Sequence, residues 1–328
     1  MVRPARQYSP YRCPYGFAIA AFTSPPEISC EHGTKKYCLR RKLLSRTHDI
    51  TGFGGITLSV TDIGKIDAPV IIMIHGYSQC GLSFLRQHTL AETHRLIIPD
   101  LRGHGRSDKP ISADAYDNSK PWANDIKAII DALGLQNPIL LGWSMGGWVV
   151  QDYIRIFSES DITGIVLVGS SVTTGNKLPS EALAARTNDP DVAAIAMRGD
   201  DLAANLRATV KFVQVCFSTA LPAEDLAFMT GFNMLCPPQV REACRTRNEN
   251  YRDTSASMTK PALILWGIHE KLAPASMGEQ AVATFANATT HIYENSGHAP
   301  FWEEADRFNT DLVTFANRAF SQVKGAAA

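Results

Sequence analysis

The sequence has no excess of either charge, and it has no apolar run of the roughly 18 to 20 residues needed to cross a bilayer. Its 328 residues include 32 Lys and Arg against 32 Asp and Glu, and no block of like charge stands out. This balance favours a small, mostly uncharged ligand over nucleic acid or an anionic membrane surface. The lack of a long apolar run predicts that the protein is not integral to a membrane.

The sequence also lacks an even set of cysteines, because it has seven. Those from Cys80 onward lie in or beside apolar segments, which favours reduced, buried thiols, and hence a cytoplasmic location by default, over a disulfide framework. Cys30, His32 and Cys38 match no zinc-ligand spacing and have no obvious fourth ligand. We therefore predict no metal and no cofactor.

Residues 1–45 do not follow the pattern of the rest of the chain. Arg3, Arg6 and Arg12 precede any acidic residue, and a short apolar stretch covers residues 15–22, as in a targeting leader. No clear cleavage site of small residues follows this stretch. The segment is therefore interpreted either as a leader or as an N-terminal extension without fixed structure.

Short β-rich runs alternate with helical patterns from about residue 50 onward. This alternation predicts an α/β fold with a mostly parallel sheet covered by helices on both faces. Most strand runs are continuously apolar, as strands buried on both faces require. The predicted strands are residues 56–60, 70–74, 95–99, 138–141, 164–168, 262–266 and 290–294, and the predicted covering helices are residues 122–133, 145–157, 277–286 and 302–320.

The alternation of strands and helices stops between about residues 171 and 259. Helical stretches such as residues 202–217 and 223–232 follow one another there without a convincing strand. We predict a helical cap at residues 172–257, inserted into a core formed by residues 46–171 and 258–324. Apolar side chains of this cap could shape a lipophilic pocket, and most of them fit packing onto the core equally well.

The segment Gly142-Trp143-Ser144-Met145-Gly146 follows a predicted strand and opens a predicted helix. In this context a G-x-S-x-G motif predicts a nucleophile in a strained strand-to-helix turn, with Ser144 Oγ projecting into the site. The small residues Gly142 and Gly146 supply the room that such a turn needs. The helix N-terminus favours negative charge on a substrate oxygen, so Ser144 is the predicted nucleophile.

With these motifs the chain resembles the α/β-hydrolase superfamily over about residues 50–324. The resemblance also depends on His75-Gly76 after a strand and on Asp100-Leu101-Arg102-Gly103-His104-Gly105-Arg106-Ser107-Asp108. Within the superfamily, Pro237-Pro238-Gln239-Val240-Arg241, with Trp143 and Met145 beside Ser144, is similar to esterases and to cofactor-free haloperoxidase-like perhydrolases. Ser78 departs from the perhydrolases, which often have a proline there. The resemblance implies an α/β-hydrolase fold with an inserted helical cap.

The same resemblance implies the other parts of a serine hydrolase site. The superfamily places the histidine base last in the chain, which carries over to His298 in Ser296-Gly297-His298-Ala299-Pro300. The acid carries over to Glu270 in Gly267-Ile268-His269-Glu270, where the superfamily usually has Asp. The two oxyanion-hole amides carry over to Tyr77 and Met145. The side chains of Tyr77 and Trp143 are further candidates for substrate binding, and Tyr77 fits a partly exposed loop aromatic equally well.

A serine at position 144 indicates acyl transfer and argues against dehalogenase and epoxide hydrolase chemistry, which use a carboxylate. We predict a serine esterase that cleaves carboxylic esters through an acyl-serine. Lactone hydrolysis, perhydrolysis and C–C bond hydrolysis use the same residues and stay open, and a small-ligand receptor is the alternative of another class. His75 and His104 are expected to be structural, because neither has the late chain position of the base.

Overall fold

The computed structural model describes residues 44–188 and 195–326. The leader or extension predicted at residues 1–45 therefore lies outside the described residues except for its last two positions. Cys30, His32 and Cys38 lie outside them as well. No helix among the described residues is long and apolar enough to span a bilayer.

One eight-stranded sheet forms the centre of the fold. Its strands are β1 (Ser45–Thr51), β2 (Thr57–Ile63), β3 (Val70–Ile74), β4 (Arg95–Pro99), β5 (Ile139–Trp143), β6 (Gly164–Val168), β7 (Ala262–Gly267) and β8 (Ala288–Tyr293). They lie in the order β1-β2-β4-β3-β5-β6-β7-β8. Only β2 pairs antiparallel to its neighbours, β1 and β4, and all other neighbours pair parallel. The predicted mostly parallel sheet is confirmed.

Strand β1 is absent from the sequence-based prediction. Of its seven residues only Ile50 is buried, and the others are polar and at least partly exposed. The strand pairs along its whole length with β2 at the edge of the sheet. An edge strand of this kind is held by backbone hydrogen bonds to its partner, so it has no continuous apolar run that would reveal it.

Ten α-helices are described: α1 (Ser119–Ala132), α2 (Met145–Phe157), α3 (Ser180–Asn188), α4 (Leu202–Val215), α5 (Ala223–Asn233), α6 (Pro238–Arg245), α7 (Arg252–Ala256), α8 (Ala275–Thr284), α9 (Pro300–Glu303) and α10 (Ala305–Ala326). Segments of 3₁₀ helix lie at Phe53–Gly55, Gly81–Glu92, Ala113–Ala115, Gly175–Lys177 and Ile195–Arg198, and the longest of them is interrupted at Phe84. The prediction of one helix over residues 302–320 is wrong, because Glu304 (φ −118°, ψ 50°) separates α9 from α10. The apolar periodicity of the sequence continues across a break of one residue, so it does not reveal the break.

Helices cover both faces of the sheet, as predicted. Alternate strand residues point to opposite faces, so that Ile72 packs in one apolar core with Trp122 of α1 and Val149 of α2. Ile71 packs in the other core with Phe308 of α10. Each face of the sheet is thereby shielded from water, which explains the continuous apolar runs of the central strands.

The stretch between β6 and β7 is helical. Residues 172–257, called the insertion below, contain α3 to α7, and their described part includes no strand beyond an isolated bridge between Thr173 and Asn250. Asp201 begins α4 by accepting hydrogen bonds from two N–H groups of its first turn, at 2.9 and 3.1 Å.

Candidate active site

Ser144 occupies the turn between β5 and α2. Its backbone angles are φ 53° and ψ −117°, a region that residues other than glycine rarely adopt. Two hydrogen bonds hold this turn: Ser144 N–H donates to Val168 O at 2.8 Å, and Gly147 N–H donates to Ser144 O at 2.9 Å. The strained strand-to-helix turn that the motif predicts is present.

The two glycines of the motif allow this turn to pack closely. A Cβ atom on Gly142 would overlap the backbone of Gly146, and a Cβ atom on Gly146 would overlap the carbonyl oxygen of Ile74. Because the overlapping atoms are backbone atoms, they cannot move aside cheaply. The space around the turn therefore requires glycine at both positions, as the sequence predicted.

The loops after β7 and β8 bring Glu270 and His298 together. The two strands are parallel neighbours, so their carboxyl ends lie at the same edge of the sheet. His269 N–H joins the two loops by donating to Ser296 O at 3.0 Å. As a result Glu270 Oε2 lies 2.5 Å from His298 Nδ1, and both side chains are at most 3% exposed.

Both carboxylate oxygens of Glu270 are used. While Oε2 faces the imidazole, Oε1 accepts the backbone N–H groups of Leu272 at 2.7 Å and Ala273 at 3.2 Å. These contacts fix the carboxylate and favour the tautomer of His298 with its proton on Nδ1. The Nε2 lone pair of His298 is then free to accept a proton.

Gly169 is a site residue that sequence reasoning missed. It follows β6 with φ +53°, and a Cβ atom there would lie 2.9 Å from His298 Nδ1 and 3.2 Å from Glu270 Oε2. Glycine at this position therefore makes room for the pair and tolerates the positive φ. The available signal was a glycine directly after the apolar run of residues 164–168.

Tyr77 and Met145 carry the two predicted oxyanion-hole amides. Tyr77 follows β3 and Met145 begins α2, and both residues line the same cavity as Ser144. Neither backbone N–H donates a hydrogen bond to any other residue in the described part of the chain. Two unpaired donors beside a strained serine are what a developing oxyanion needs.

His75 and His104 support the loop that carries Tyr77. His104 Nε2 accepts Ser78 N–H at 3.2 Å, and His75 Nε2 accepts Leu101 N–H at 2.9 Å. Burial lowers the pKa of His75 to about 4 and the pKa of His104 to about 3, so both rings are neutral at pH 7 and can accept. Their structural role agrees with the expectation from the sequence.

A cavity of about 380 Å³ opens beside Ser144. Five of the six residues predicted for the site line it, namely Tyr77, Trp143, Ser144, Met145 and His298. The sixth, Glu270, lies behind the imidazole of His298 and is 2% exposed. The rest of the lining is largely apolar and includes Leu183, Phe212, Cys216, Cys244 and Leu272.

Hydrogen bonds and a ring contact join the insertion to the site. Tyr77 donates its hydroxyl hydrogen to Arg241 O at 3.1 Å, and its ring meets Phe212 edge-on at 5.8 Å between centroids. His298 N–H donates to Cys216 O at 2.9 Å. The insertion therefore touches two loops of the site. Phe212 of α4 and Arg241 of α6 contact Tyr77, and Cys216, which follows α4, contacts the loop that carries His298.

Glu303 and Glu304 support the loop that carries His298, residues 294–299, called the base loop below. Glu303 accepts hydrogen bonds from Gly297 N–H at 2.7 Å and from the N–H and hydroxyl of Ser218, both at 2.6 Å. Glu304 accepts from Ser296 Oγ at 2.6 Å. Neither carboxylate bonds to the His298 ring, yet both hold the loop that carries it.

The described residues offer no group of three or more His, Cys, Asp or Glu side chains that could hold a metal ion. Cys80, Cys216, Cys236 and Cys244 are buried free thiols. Burial raises the pKa of Cys80 and Cys236 to about 12, which makes these thiols poor nucleophiles and poor ligands at neutral pH.

Comparison with known proteins agrees with this architecture. The family model described as alpha/beta hydrolase fold matches residues 69–305. The chain belongs to this family. The superfamily and fold that the sequence motifs implied are thereby confirmed, and the protein is a hydrolase of this fold.

Three relatives illustrate the range of the family. The solved structure of the esterase RhEst1 from Rhodococcus sp. ECU1013 is 27% identical, with a TM-score of 0.74 over 83% of this chain and 98% of that one. A 2-hydroxy-6-oxononadienedioate/2-hydroxy-6-oxononatrienedioate hydrolase from Paraburkholderia xenovorans is 28% identical over 80% of this chain and 92% of its own length. A bromoperoxidase from Bacillus anthracis, at 20% identity and a TM-score of 0.71 over 84% of this chain and 100% of that one, shares the fold.

Proposed function

We propose that the protein is a serine esterase that hydrolyses carboxylic esters of small, mostly uncharged, lipophilic molecules. The proposal depends on one observation. Around one largely apolar cavity lie a strained serine, an imidazole bonded to a buried carboxylate, and two unpaired backbone amides. The likeness to a solved esterase at 27% identity supports the same chemistry.

In the proposed mechanism Ser144 Oγ attacks the ester carbonyl while His298 Nε2 takes its proton. Glu270 stabilises the imidazolium that forms. The amides of Tyr77 and Met145 donate to the oxyanion, each contributing about 2.7 to 4 kcal/mol by analogy with measured deletions. His298 then protonates the leaving alcohol, and the acyl-serine is hydrolysed by a water molecule that His298 activates.

The insertion would act as a cap over this site. Its contacts to Tyr77 and to the His298 loop place it against both halves of the proposed machinery. An apolar lid excludes water from the cavity, which strengthens the electrostatic interactions that stabilise the transition state. We accordingly propose residues 172–257 as a cap domain that shapes the acyl or alcohol pocket.

Hydrolysis of a C–C bond is the second candidate. The observation that favours it is the relative named for hydrolysis of 2-hydroxy-6-oxononadienedioate, which is 28% identical over most of both chains. The same serine and histidine serve both reactions, so the arrangement of residues does not separate them. Turnover of a 2-hydroxy-6-oxo-dienoate in preference to simple esters would favour this alternative.

The test is steady-state hydrolysis of p-nitrophenyl esters of increasing acyl length. We expect multiple turnovers by the wild type and a loss of at least roughly 10³-fold in kcat for Ser144→Ala. Ser160→Ala, which changes an exposed serine, is the matched control and should keep full activity. Absence of Ser144-dependent turnover on every ester would contradict the proposal.

A further inference from the structure

The cavity beside Ser144 is not neutral, although the chain as a whole is. Its described lining contains Arg245 and Arg247 and no Asp or Glu. Arg247 is compensated, because its terminal nitrogen donates to both oxygens of Asp152 at 2.6 and 2.7 Å and both side chains are fully buried. Asp152 therefore neutralises the charge of Arg247. Arg245 is the remaining arginine of the described cavity wall.

The side chain of Arg245 makes no hydrogen bond or ion pair with any residue of the described part of the chain. It ends α6 and is exposed. The nearby carboxylate of Glu242 is already bound by Arg198 at 2.6 Å. Arg245 and Tyr77 both line the cavity that contains Ser144.

We propose that Arg245 binds a carboxylate group of the substrate at the wall of the Ser144 cavity, so that the protein prefers esters that carry a carboxylate at one end. A guanidinium presents its N–H donors in a planar fork that matches a carboxylate, and it stays protonated at neutral pH. The apolar lining would then contact the middle of such a substrate. The inference rests on the proposed ester hydrolysis and replaces the mostly uncharged substrates of that proposal by esters that carry one carboxylate.

A structural role for Arg245 makes a different prediction. A cation in the last turn of a helix interacts favourably with the helix dipole, which would stabilise α6 without any ligand. In that case removal of Arg245 would lower the melting temperature and would affect charged and neutral substrates alike. A comparison of matched substrates separates the two roles.

The experiment uses two pairs of esters, and in each pair a carboxylate of one ester replaces a methyl group of the other. Mono-4-nitrophenyl glutarate is compared with 4-nitrophenyl valerate for the acyl side, and 4-acetoxybenzoate with 4-methylphenyl acetate for the alcohol side. The variants are Arg245→Ala, Arg245→Lys and the control Arg207→Ala, which removes an exposed arginine of α4 that does not line the cavity. The readout is the ratio of kcat/KM for the charged ester to kcat/KM for its neutral partner.

We expect Arg245→Ala to lower this ratio about tenfold in one of the two pairs, the size of a partly exposed charge-assisted hydrogen bond. Arg245→Lys should keep part of the ratio, Arg207→Ala should keep all of it, and added salt should reduce it in the wild type. An equal effect of Arg245→Ala on both members of each pair, or the same loss of ratio in Arg207→Ala, would overturn the inference.

Failure of the inference and failure of the proposed function give different results. Ser144-dependent turnover of the neutral esters with an unchanged ratio in Arg245→Ala refutes only the role of Arg245. If no ester is turned over, titration calorimetry of glutarate and valerate esters with the Ser144→Ala variant still tests the carboxylate site. Equal binding of both esters, or binding of the glutarate ester that Arg245→Ala leaves unchanged, would refute it.

Discussion

The substitution Glu270→Gln tests the proposed acid with little change in shape. Oε1 of Glu270 accepts the backbone N–H groups of Leu272 and Ala273, and Oε2 faces His298 Nδ1 at 2.5 Å. In the variant the amide oxygen must stay with the two N–H donors, because an NH₂ group there would leave both donors unpaired. The NH₂ group is therefore directed at His298 Nδ1.

An NH₂ group can only donate, so Nδ1 must become the acceptor and the proton of the imidazole moves to Nε2. In this tautomer His298 cannot take the proton of Ser144. In a serine protease triad, changing the acid to its amide lowers kcat about 10⁴-fold for this reason, so we expect a loss of about 10³- to 10⁴-fold here. KM should change little, because Glu270 lies behind the imidazole and outside the cavity lining.

The assay is hydrolysis of the best p-nitrophenyl ester by Glu270→Gln, by the wild type and by Glu279→Gln. The last variant makes the same change on the exposed side of α8 and should keep full activity. Circular dichroism and a melting curve establish that Glu270→Gln is folded. Near-wild-type kcat in a folded Glu270→Gln variant would refute both the tautomer argument and the assignment of Glu270.

Three further results are expected. Gly169→Ala should lower kcat and the melting temperature together, because the new Cβ would lie 2.9 Å from His298 Nδ1 at a residue with φ +53°; unchanged kinetics would contradict this. The free energy of unfolding, measured in urea, should fall as the pH drops from about 6.5 towards 4, because unfolding lets His75 and His104 bind protons that their folded pKa values of about 4 and 3 exclude. The slope of the free energy of unfolding against pH should approach 1.4 kcal/mol per pH unit for each histidine. A free energy of unfolding that does not change over this pH range would refute the assignment of two buried, neutral histidines. Glu303→Gln should lower stability by about 1 to 3 kcal/mol, since it weakens one hydrogen bond from Gly297 of the base loop and two from Ser218 of the insertion; an unchanged urea midpoint would count against that role.

Local patterns were enough to predict the central part of the fold. Strands β3, β4 and β6 have the predicted bounds, because a strand buried on both faces is recorded in the sequence as a continuous apolar run between polar turns. The strand-to-helix turn at Ser144 was equally predictable from the sequence, since its two glycines and its flanking strand and helix are neighbours in the chain. The sequence did not reveal strand β1, because an edge strand held by backbone pairing needs no apolar run. It did not reveal the break at Glu304 either, because an interruption of one residue does not change the apolar periodicity around it.

The sequence by itself determined the type of fold, the position of the serine and the order of the proposed acid and base. Those features depend on residues close together in the chain, or on motifs that the superfamily shares. Only the tertiary structure placed Gly169 against the His298–Glu270 pair, brought Ser218 of the insertion to Glu303 and left the side chain of Arg245 without a partner among the described residues of the cavity wall. These contacts join segments from different strands and from the insertion, and their distances follow from how the sheet and helices pack, which no local pattern records.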